Sequence, residues 1–438
     1  MKRLLWVLLL AGCAQSDFSF PSGWKAGVAR VQITPEQPMW MSGYGGRTKP
    51  AEGTLHDLWV KALALEDPRG NRAVILAADL VGIDAGLSER IRRRIGLPRE
   101  SVLIACSHTH TGPMVSHNLQ AMFDLPAAER KKIDDYADFL ESAFARAASQ
   151  AAASMSLATL SWSNGTADFA VNRRNNPEKD VPALRAAGPL KGPVDHDVPV
   201  LRVERADGGL LAALFGYACH NTVLDSYQWS GDYAGFAQIE FEKAHPGATA
   251  LFFSGCGADQ NPLPRRKVEL AAQYGTRLAV SVALALEGTS SIEGPLVTRS
   301  ATVSLPFEVP PVKEELQKRL EDKRVPERRR AEILLADGKL SAAYDYPIQV
   351  WRLGNGPLLV ALGGEVVVDY SIRLKKELGR GTWVAGYCND VMAYIPSERV
   401  LKEGGYEGGG AMVYYGQPSP WKAGLEETIV SKVKELSR

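Results

Sequence analysis

"ESVLIACSHTHTGP", residues 100–113, decides how the fold is read. A short apolar run closes on two histidines, His108 and His110, beside a Gly-Pro pair, in a chain that has only seven histidines. Side chains at i and i+2 of a strand share a face, so a strand carried through the pair would aim both imidazoles the same way. Residues 85–96, "AGLSERIRRRIG", read as a helix feeding this run, and "RAVILAADLVG", residues 72–82, as the strand before it. The pattern of an apolar run with a polar end recurs. "LAALFGYAC" runs into His220-Asn221-Thr222, "ATALFFS" into Gly255-Cys256-Gly257-Ala258-Asp259, and "LLVALGG" into Glu365. Ligand crevices in α/β sheets lie beyond the carboxyl ends of strands. The expectation is therefore that these four polar ends converge on one pocket.

Working outward, strand-like and helical stretches alternate from Trp24 onward, which implies an α/β protein of layered mixed β-sheets flanked by helices. "KAGVARVQITP" reads as a strand ended by proline, "WMSGYGGRTKPAEGTLHD" as a glycine-rich loop and "LWVKALALED" as a strand. Helices are expected over 127–154, 233–244, 266–287 and near 421–435, with a hairpin around Asp207-Gly208-Gly209. The stretch 310–338 carries dense charge of both signs, the signature of a solvated helical face. No linker divides the chain after residue 24, so residues 24–438 read as one domain with the metal site at strand carboxyl ends.

The chain has 51 Lys+Arg against 50 Asp+Glu, a net charge of +1, which offers no footing for a nucleic-acid partner or a polyanion. Its start, "MKRLLWVLLLAGC", joins a basic pair to an apolar run too short to span a bilayer and then to Leu10-Ala11-Gly12-Cys13. That ending resembles a bacterial lipoprotein signal. It implies a signal peptide over 1–12, lipidation of Cys13, a tether over 13–23, and membrane association in the cell envelope through the lipid anchor, with Ala14 favouring the outer membrane. The remaining cysteines, Cys106, Cys219, Cys256 and Cys388, show no metal-thiolate spacing and read as small buried residues near strand ends, although an exported chain can form disulfides.

Two histidines and a carboxylate from separate strands suit a catalytic zinc ion, which takes three protein ligands and leaves a position open. Manganese and iron accept the same donors. Tyr394 and Tyr406 fall in the glycine-rich segment 385–416, where backbone freedom permits close approach to a ligand; a tyrosine there can bond a developing oxyanion or coordinate a metal.

The segments "GVARVQITP", "GYGGR", "GTLHDLWVKALAL", "SHTHTGP", "ACHNTV" with "SGDYAGFA", "GGE" and "AYIPSERV" with "GGYEG" resemble, in order and spacing, the catalytic domain of the neutral/alkaline non-lysosomal ceramidase family. That resemblance implies a zinc amidohydrolase that cleaves the N-acyl bond of ceramide to give sphingosine and a fatty acid. It implies His108, His220, Glu365 and Tyr394 as zinc ligands, His110 as the histidine beside the metal water, Arg173 as the site arginine and Tyr406 as the tyrosine facing the scissile carbonyl. Asp259 is expected to orient His110 or the water, and Gln260 and Asn261 to line the substrate site.

Two departures bear on the substrate. Gln260 stands where the family has a serine, and no counterpart of the immunoglobulin-like domain of longer members precedes Arg438. The expected function is zinc-dependent cleavage of ceramide or a related lipid amide by a metal-activated water. The alternatives are hydrolysis of another N-acyl amide or ester in the envelope, or a non-catalytic lipoprotein that binds lipid or glycan.

Overall fold

Burial along the strands sorts them into two kinds. Trp24–Gln32 alternates between covered and wet positions, whereas Val102–Cys106 is buried throughout and Trp59–Glu66 nearly so, as expected of strands covered on both faces. The computed structural model describes residues 23–336, 338 and 340–438, so the signal reading of 1–12, Cys13 and the tether apart from Gly23 lie outside the described residues.

The main sheet runs in the order Thr249–Ser254, Leu210–Tyr217, Asp197–Arg205, Ser156–Thr166, Trp24–Gln32, Trp59–Glu66, Arg72–Ala78, Val102–Cys106, with Ser290–Ser291 paired to Ser156–Thr166. It is mixed. The two outermost pairs are parallel, and each is bridged by a helix, Ala85–Ile95 at one edge and Asp232–Ala244 at the other. The sheet curls strongly enough for Lys61, on Trp59–Glu66, to donate to Ala250 O at 2.9 Å and to pair with Glu242 at 2.7 Å. Edge strands far apart in the sheet order are thereby brought together.

A second sheet, ordered Leu296–Pro306, Ala343–Leu353, Leu358–Leu362, Thr382–Ala385, packs on the first. Leu103, Leu214 and Leu251 from one sheet meet Trp351, Leu359 and Trp383 from the other in a continuous apolar layer. Helices cover the outside. Ala127–Ala153 lies on Trp24–Gln32 and Trp59–Glu66, Val268–Glu287 on Ser156–Thr166 and Asp197–Arg205, and Leu425–Leu436 on the second sheet. The first of these approaches so closely that a Cβ at Gly27 would stand 2.1 Å from Ala151 O. The layered, mixed α/β arrangement is the one the sequence implied.

Local chemistry explains the element ends. Asp84 caps Ala85–Ile95 by accepting from Leu87 N at 3.0 Å, and Gly96, at φ 75°, closes it. The C-terminal helix begins at Leu425, later than expected, because Gly424 at φ 98° breaks the chain there and Trp421 stacks on Phe307 instead. The charged stretch forms two short helices, Lys313–Arg319 and Val325–Ala336, laced by pairs such as Arg330–Glu327, in keeping with a solvated face. Cys106, Cys219, Cys256 and Cys388 are buried free thiols at or just beyond strand ends, so no disulfide joins them. Among the described residues no helix is long and apolar enough to cross a membrane.

Candidate metal centre and active site

Both histidine motifs sit at the carboxyl ends of the parallel edge pairs, and one residue stitches them together. Thr109 and Asn221 form a parallel bridge, His110 N donates to Asn221 O at 3.2 Å, and the Asn221 amide donates to Ser107 O at 2.9 Å. The strand does not continue through the histidines, contrary to the sequence expectation. It stops at Cys106, and His108 adopts φ 60°. The two imidazoles converge through that left-handed turn, with their Nε2 atoms 3.2 Å apart, and not through strand alternation.

Glu365 and Tyr394 arrive by a different route. They are Cα partners in the short parallel pair Glu365–Val366 and Tyr394–Ile395, so residues far apart in sequence stand side by side. His108 Nε2 and His220 Nε2 lie 3.1 and 3.2 Å from Glu365 Oε2, and Tyr394 Oη lies 3.5 Å from His220 Nε2. Arg173 follows a strand paired to Gln260–Pro262 and donates to Tyr394 Oη at 3.1 Å, to Asn261 Oδ1 at 3.3 Å and to Glu407 Oε1 at 2.7 Å. Tyr406, 46 % exposed, meets Tyr394 edge-on with ring centroids 5.3 Å apart.

The donor chemistry tests whether this cluster fits a cation. His108 Nδ1 lies 2.6 Å from Val81 O and His220 Nδ1 lies 2.8 Å from Gly257 O. Carbonyls only accept, so both Nδ1 atoms carry a proton, and in the neutral rings that bind a cation both Nε2 atoms present lone pairs. Those lone pairs face a carboxylate oxygen that has no hydrogen-bond donor of its own, so three buried acceptors converge with nothing between them to bind. Four ligands set tetrahedrally about 2.0–2.1 Å from one ion lie about 3.3 Å from each other, close to the separations here. The residues fit a divalent ion. Carbonyl-anchored Nδ1 atoms are also the usual support of metal-ligating histidines.

His110 differs. Its ligating atoms fall within 4.8 Å of those of His108 and His220, so it could join a ligand set, yet its Nδ1 is buried without a partner. Burial first, then the neighbouring imidazoles of His108 and His220, push its pKa well below the usual histidine value. Burial and the Arg173 charge lower His220 to about 4. Burial would raise Glu365, but His108 and His220 outweigh it and hold the carboxyl well below its ordinary range. Burial and then Glu365 raise the Tyr394 phenol. The site thus sets a carboxylate among imidazoles, of which His110 and His220 are held below the ordinary histidine range.

Two expectations need correcting. Asp259 does not orient His110: Oδ1 accepts from Val368 N at 2.9 Å and Oδ2 from the Asn172 amide at 3.1 Å, which braces the strand carrying Arg173 against the segment after Glu365. Gln260 does not face a substrate. Its amide donates to Ala218 O at 2.6 Å and accepts from Asp195 N at 3.3 Å, so the residue at the serine's place is part of the scaffold. Asn261 reaches the site through Arg173.

Other contributors had no local signal. Tyr415 donates to Glu365 Oε1, which leaves Oε2 for the histidines, and Tyr387 stacks on His108 at 4.2 Å. Asp232, at φ 53°, accepts from Val223 N, Leu224 N and Tyr233 N and so ties down the turn after His220. Glu407 is gripped by both Arg173 and Arg174.

The family model described as neutral/alkaline non-lysosomal ceramidase, N-terminal, matches residues 24–261. The chain belongs to this family. Two solved structures share its fold. "Ceramidase complexed with C2" has a TM-score of 0.71 at 19 % identity, covering 95 % of this chain and 75 % of that one. The neutral ceramidase from Pseudomonas aeruginosa has a TM-score of 0.69 at 19 % identity, covering 94 % and 75 %. At that identity the likeness concerns the fold, and the ceramidase family match carries the kinship.

Gly43 gives a test of how tightly His110 is placed. It sits at φ 92°, and a Cβ there would stand 2.4 Å from His110 Cγ. For a His110 that transfers a proton, Gly43→Ala is expected to lower kcat about 100-fold, since a displacement near 1 Å at a reacting group costs that much. Elemental analysis should find metal content unchanged; loss of metal with activity would show that His110 is itself a ligand.

Proposed function

We propose that the chain is a zinc-dependent amidohydrolase that cleaves the N-acyl bond of ceramide or a related lipid amide. The observation that carries this reading is the convergence of His108 Nε2, His220 Nε2 and Glu365 Oε2, three buried atoms at 3.1 and 3.2 Å, with both histidines anchored to carbonyls through Nδ1. His108, His220 and Glu365 would hold the ion, with the Tyr394 oxygen within reach as a fourth protein ligand. Imidazole nitrogen and carboxylate oxygen suit zinc better than magnesium or calcium. Such an ion supplies Lewis acidity, lowering the pKa of a water from about 15.7 to about 7 and polarising a carbonyl.

The protein's own residues do the rest. His110, neutral and with its Nε2 turned to the cluster 3.2 Å from His108 Nε2, takes the proton of the attacking water and returns it to the leaving amine. Arg173 and Tyr406 donate to the oxyanion of the tetrahedral intermediate. Arg173 is fixed for that task by Glu407 and Asn261. Water as nucleophile removes the need for a serine, which agrees with Gln260 being turned into the scaffold. That same residue favours the second reading, a different N-acyl amide or ester. A purely lipid- or glycan-binding role leaves the converging acceptors without a purpose. Anchorage of the chain in the bacterial envelope through a lipidated Cys13 belongs to this proposal.

The deciding experiment measures zinc content and fatty acid release from N-acylsphingosine and from simpler N-acyl amides and esters. About one zinc per chain is expected, with release lost on chelation and restored by zinc. Full turnover by metal-free protein, or no release from any substrate by zinc-loaded protein, would overturn the proposal.

A further inference from the structure

A cavity of about 470 Å³ opens beside the reacting groups, large enough for a sizeable polar head. Its walls are tyrosines, two arginines, the carboxylate of Asp225 and the glycines of residues 43–46, and Met122 is its one aliphatic side chain. Tyr44 connects it to the chemistry: its ring meets His110 edge-on with centroids 4.7 Å apart, while Tyr406 forms the wall on the Tyr394 side. Such walls hold little for an alkyl chain.

Arg47 is the unusual member. It is only 6 % exposed, and its guanidinium lies 5.0 Å above the Tyr44 ring and 5.8 Å from that of Tyr227. It donates to two backbone carbonyls, Ser42 O at 2.8 Å and Ser226 O at 3.2 Å, while its Nε is buried without a partner. Among the described residues no carboxylate pairs with it. The other arginine on the wall, Arg266, is answered by Asp225 at 3.4 Å, so the cavity keeps one uncompensated positive charge. Burying a cation without a counter-ion is costly, and a site that does so is prepared for an anion. Arg266 also holds φ 83°, a strained state for a side chain this size, with its guanidinium 4.9 Å from the Tyr44 ring centroid. Through Tyr44 the Arg47 guanidinium lies less than 10 Å from the His110 ring, within a few bonds' reach of a scissile nitrogen placed at the site.

We propose that this cavity receives the amine half of the substrate and that this half carries an acidic group, bound by Arg47, so that the preferred substrates are N-acyl amides of amino acids and not of a neutral amino alcohol. The inference rests on the amidohydrolase reading above and names the substrate class for that site. A charge-assisted hydrogen bond to a carboxylate contributes about 1.5–3 kcal/mol, which corresponds to about a 10- to 150-fold preference.

The test compares two substrates with the same acyl chain, one with glycine and one with ethanolamine as the amine. Zinc-loaded full-length protein should favour the carboxylate in kcat/KM by at least tenfold. Arg47→Met should collapse that ratio and Arg47→Lys should restore part of it. Arg266→Met, whose charge is already met by Asp225, should narrow the ratio less. A second readout is calorimetric binding of N-dodecylglycine, which has no scissile acyl bond, to the same proteins without turnover. Binding lost in Arg47→Met supports the acidic-head site even if no amide is hydrolysed, in which case only the amidohydrolase reading falls. Equal kcat/KM for the two amides, a preference for ethanolamine, or a fall of both in proportion in Arg47→Met overturns the inference and leaves Arg47 a structural residue.

Discussion

His220→Ala is expected to lose bound zinc and turnover together, whereas His110→Ala is expected to keep the zinc and lose turnover alone. The contrast follows from which ring nitrogen is anchored. His220 gives its Nδ1 proton to Gly257 O and turns its Nε2 toward Glu365 Oε2 at 3.2 Å, so its removal deletes one of three converging acceptors and widens the cluster. Several kcal/mol of transition-state stabilisation go with the ion, at least about 10³-fold in rate at 1.36 kcal/mol per decade. His110 has no such anchor. In the proposed mechanism its removal takes away only proton transfer, about 10²- to 10⁴-fold in kcat. Elemental analysis and steady-state kinetics on both variants, with circular dichroism to confirm folding, separate the two losses. Retained zinc in His220→Ala would discard the ligand assignment, and lost zinc in His110→Ala would move His110 into the ligand set.

The positions of the four strand ends were legible because each combines an apolar run, which fixes burial, with an abrupt polar stop, which a buried strand tolerates only where something polar awaits it. Val102–Cys106, Leu210–Tyr217, Thr249–Ser254 and Leu358–Leu362 all deliver their polar ends to one region. What the pattern misjudged was local. Strand periodicity put His108 and His110 on one face, but the left-handed turn at His108 is dictated by contacts to Leu80 O and Val81 O that no spacing rule encodes. Proximity in sequence to a motif likewise misled for Asp259 and Gln260, whose neighbours in space are Val368 and Ala218.

Tyr415, Tyr387 and Glu407 escaped notice for the same reason: each acts on a residue brought close only by the fold, as Tyr415 does on Glu365. A tyrosine in a glycine-rich segment looks alike whether it packs or positions. Arg47 is a subtler case. Its motif "GYGGR" was visible, yet only the lack, among the described residues, of a carboxylate paired with its buried guanidinium gives it meaning.

Arg173→Ala is expected to lower kcat about 10²- to 10³-fold, the cost of losing one preorganised donor to an oxyanion, with zinc content unchanged. The guanidinium is held from three sides, by Glu407 at 2.7 Å, Asn261 at 3.3 Å and Tyr394 Oη at 3.1 Å, and lies 5.8 and 5.7 Å from the Tyr394 and Tyr406 ring centroids. Its removal should not unfold the site, because Glu407 keeps Arg174 at 2.6 Å and no buried carboxylate is orphaned. Arg173→Lys should recover less than tenfold, since a point charge cannot meet all three partners as the planar fork does. Glu407→Gln should fall between the two, by freeing Arg173 to turn while leaving its charge in place. The split between kcat and KM is the diagnostic: a donor that acts on the oxyanion lowers kcat with little change in KM. A rise in KM alone would make Arg173 a ground-state binding residue, and unchanged kinetics would remove it from the chemistry.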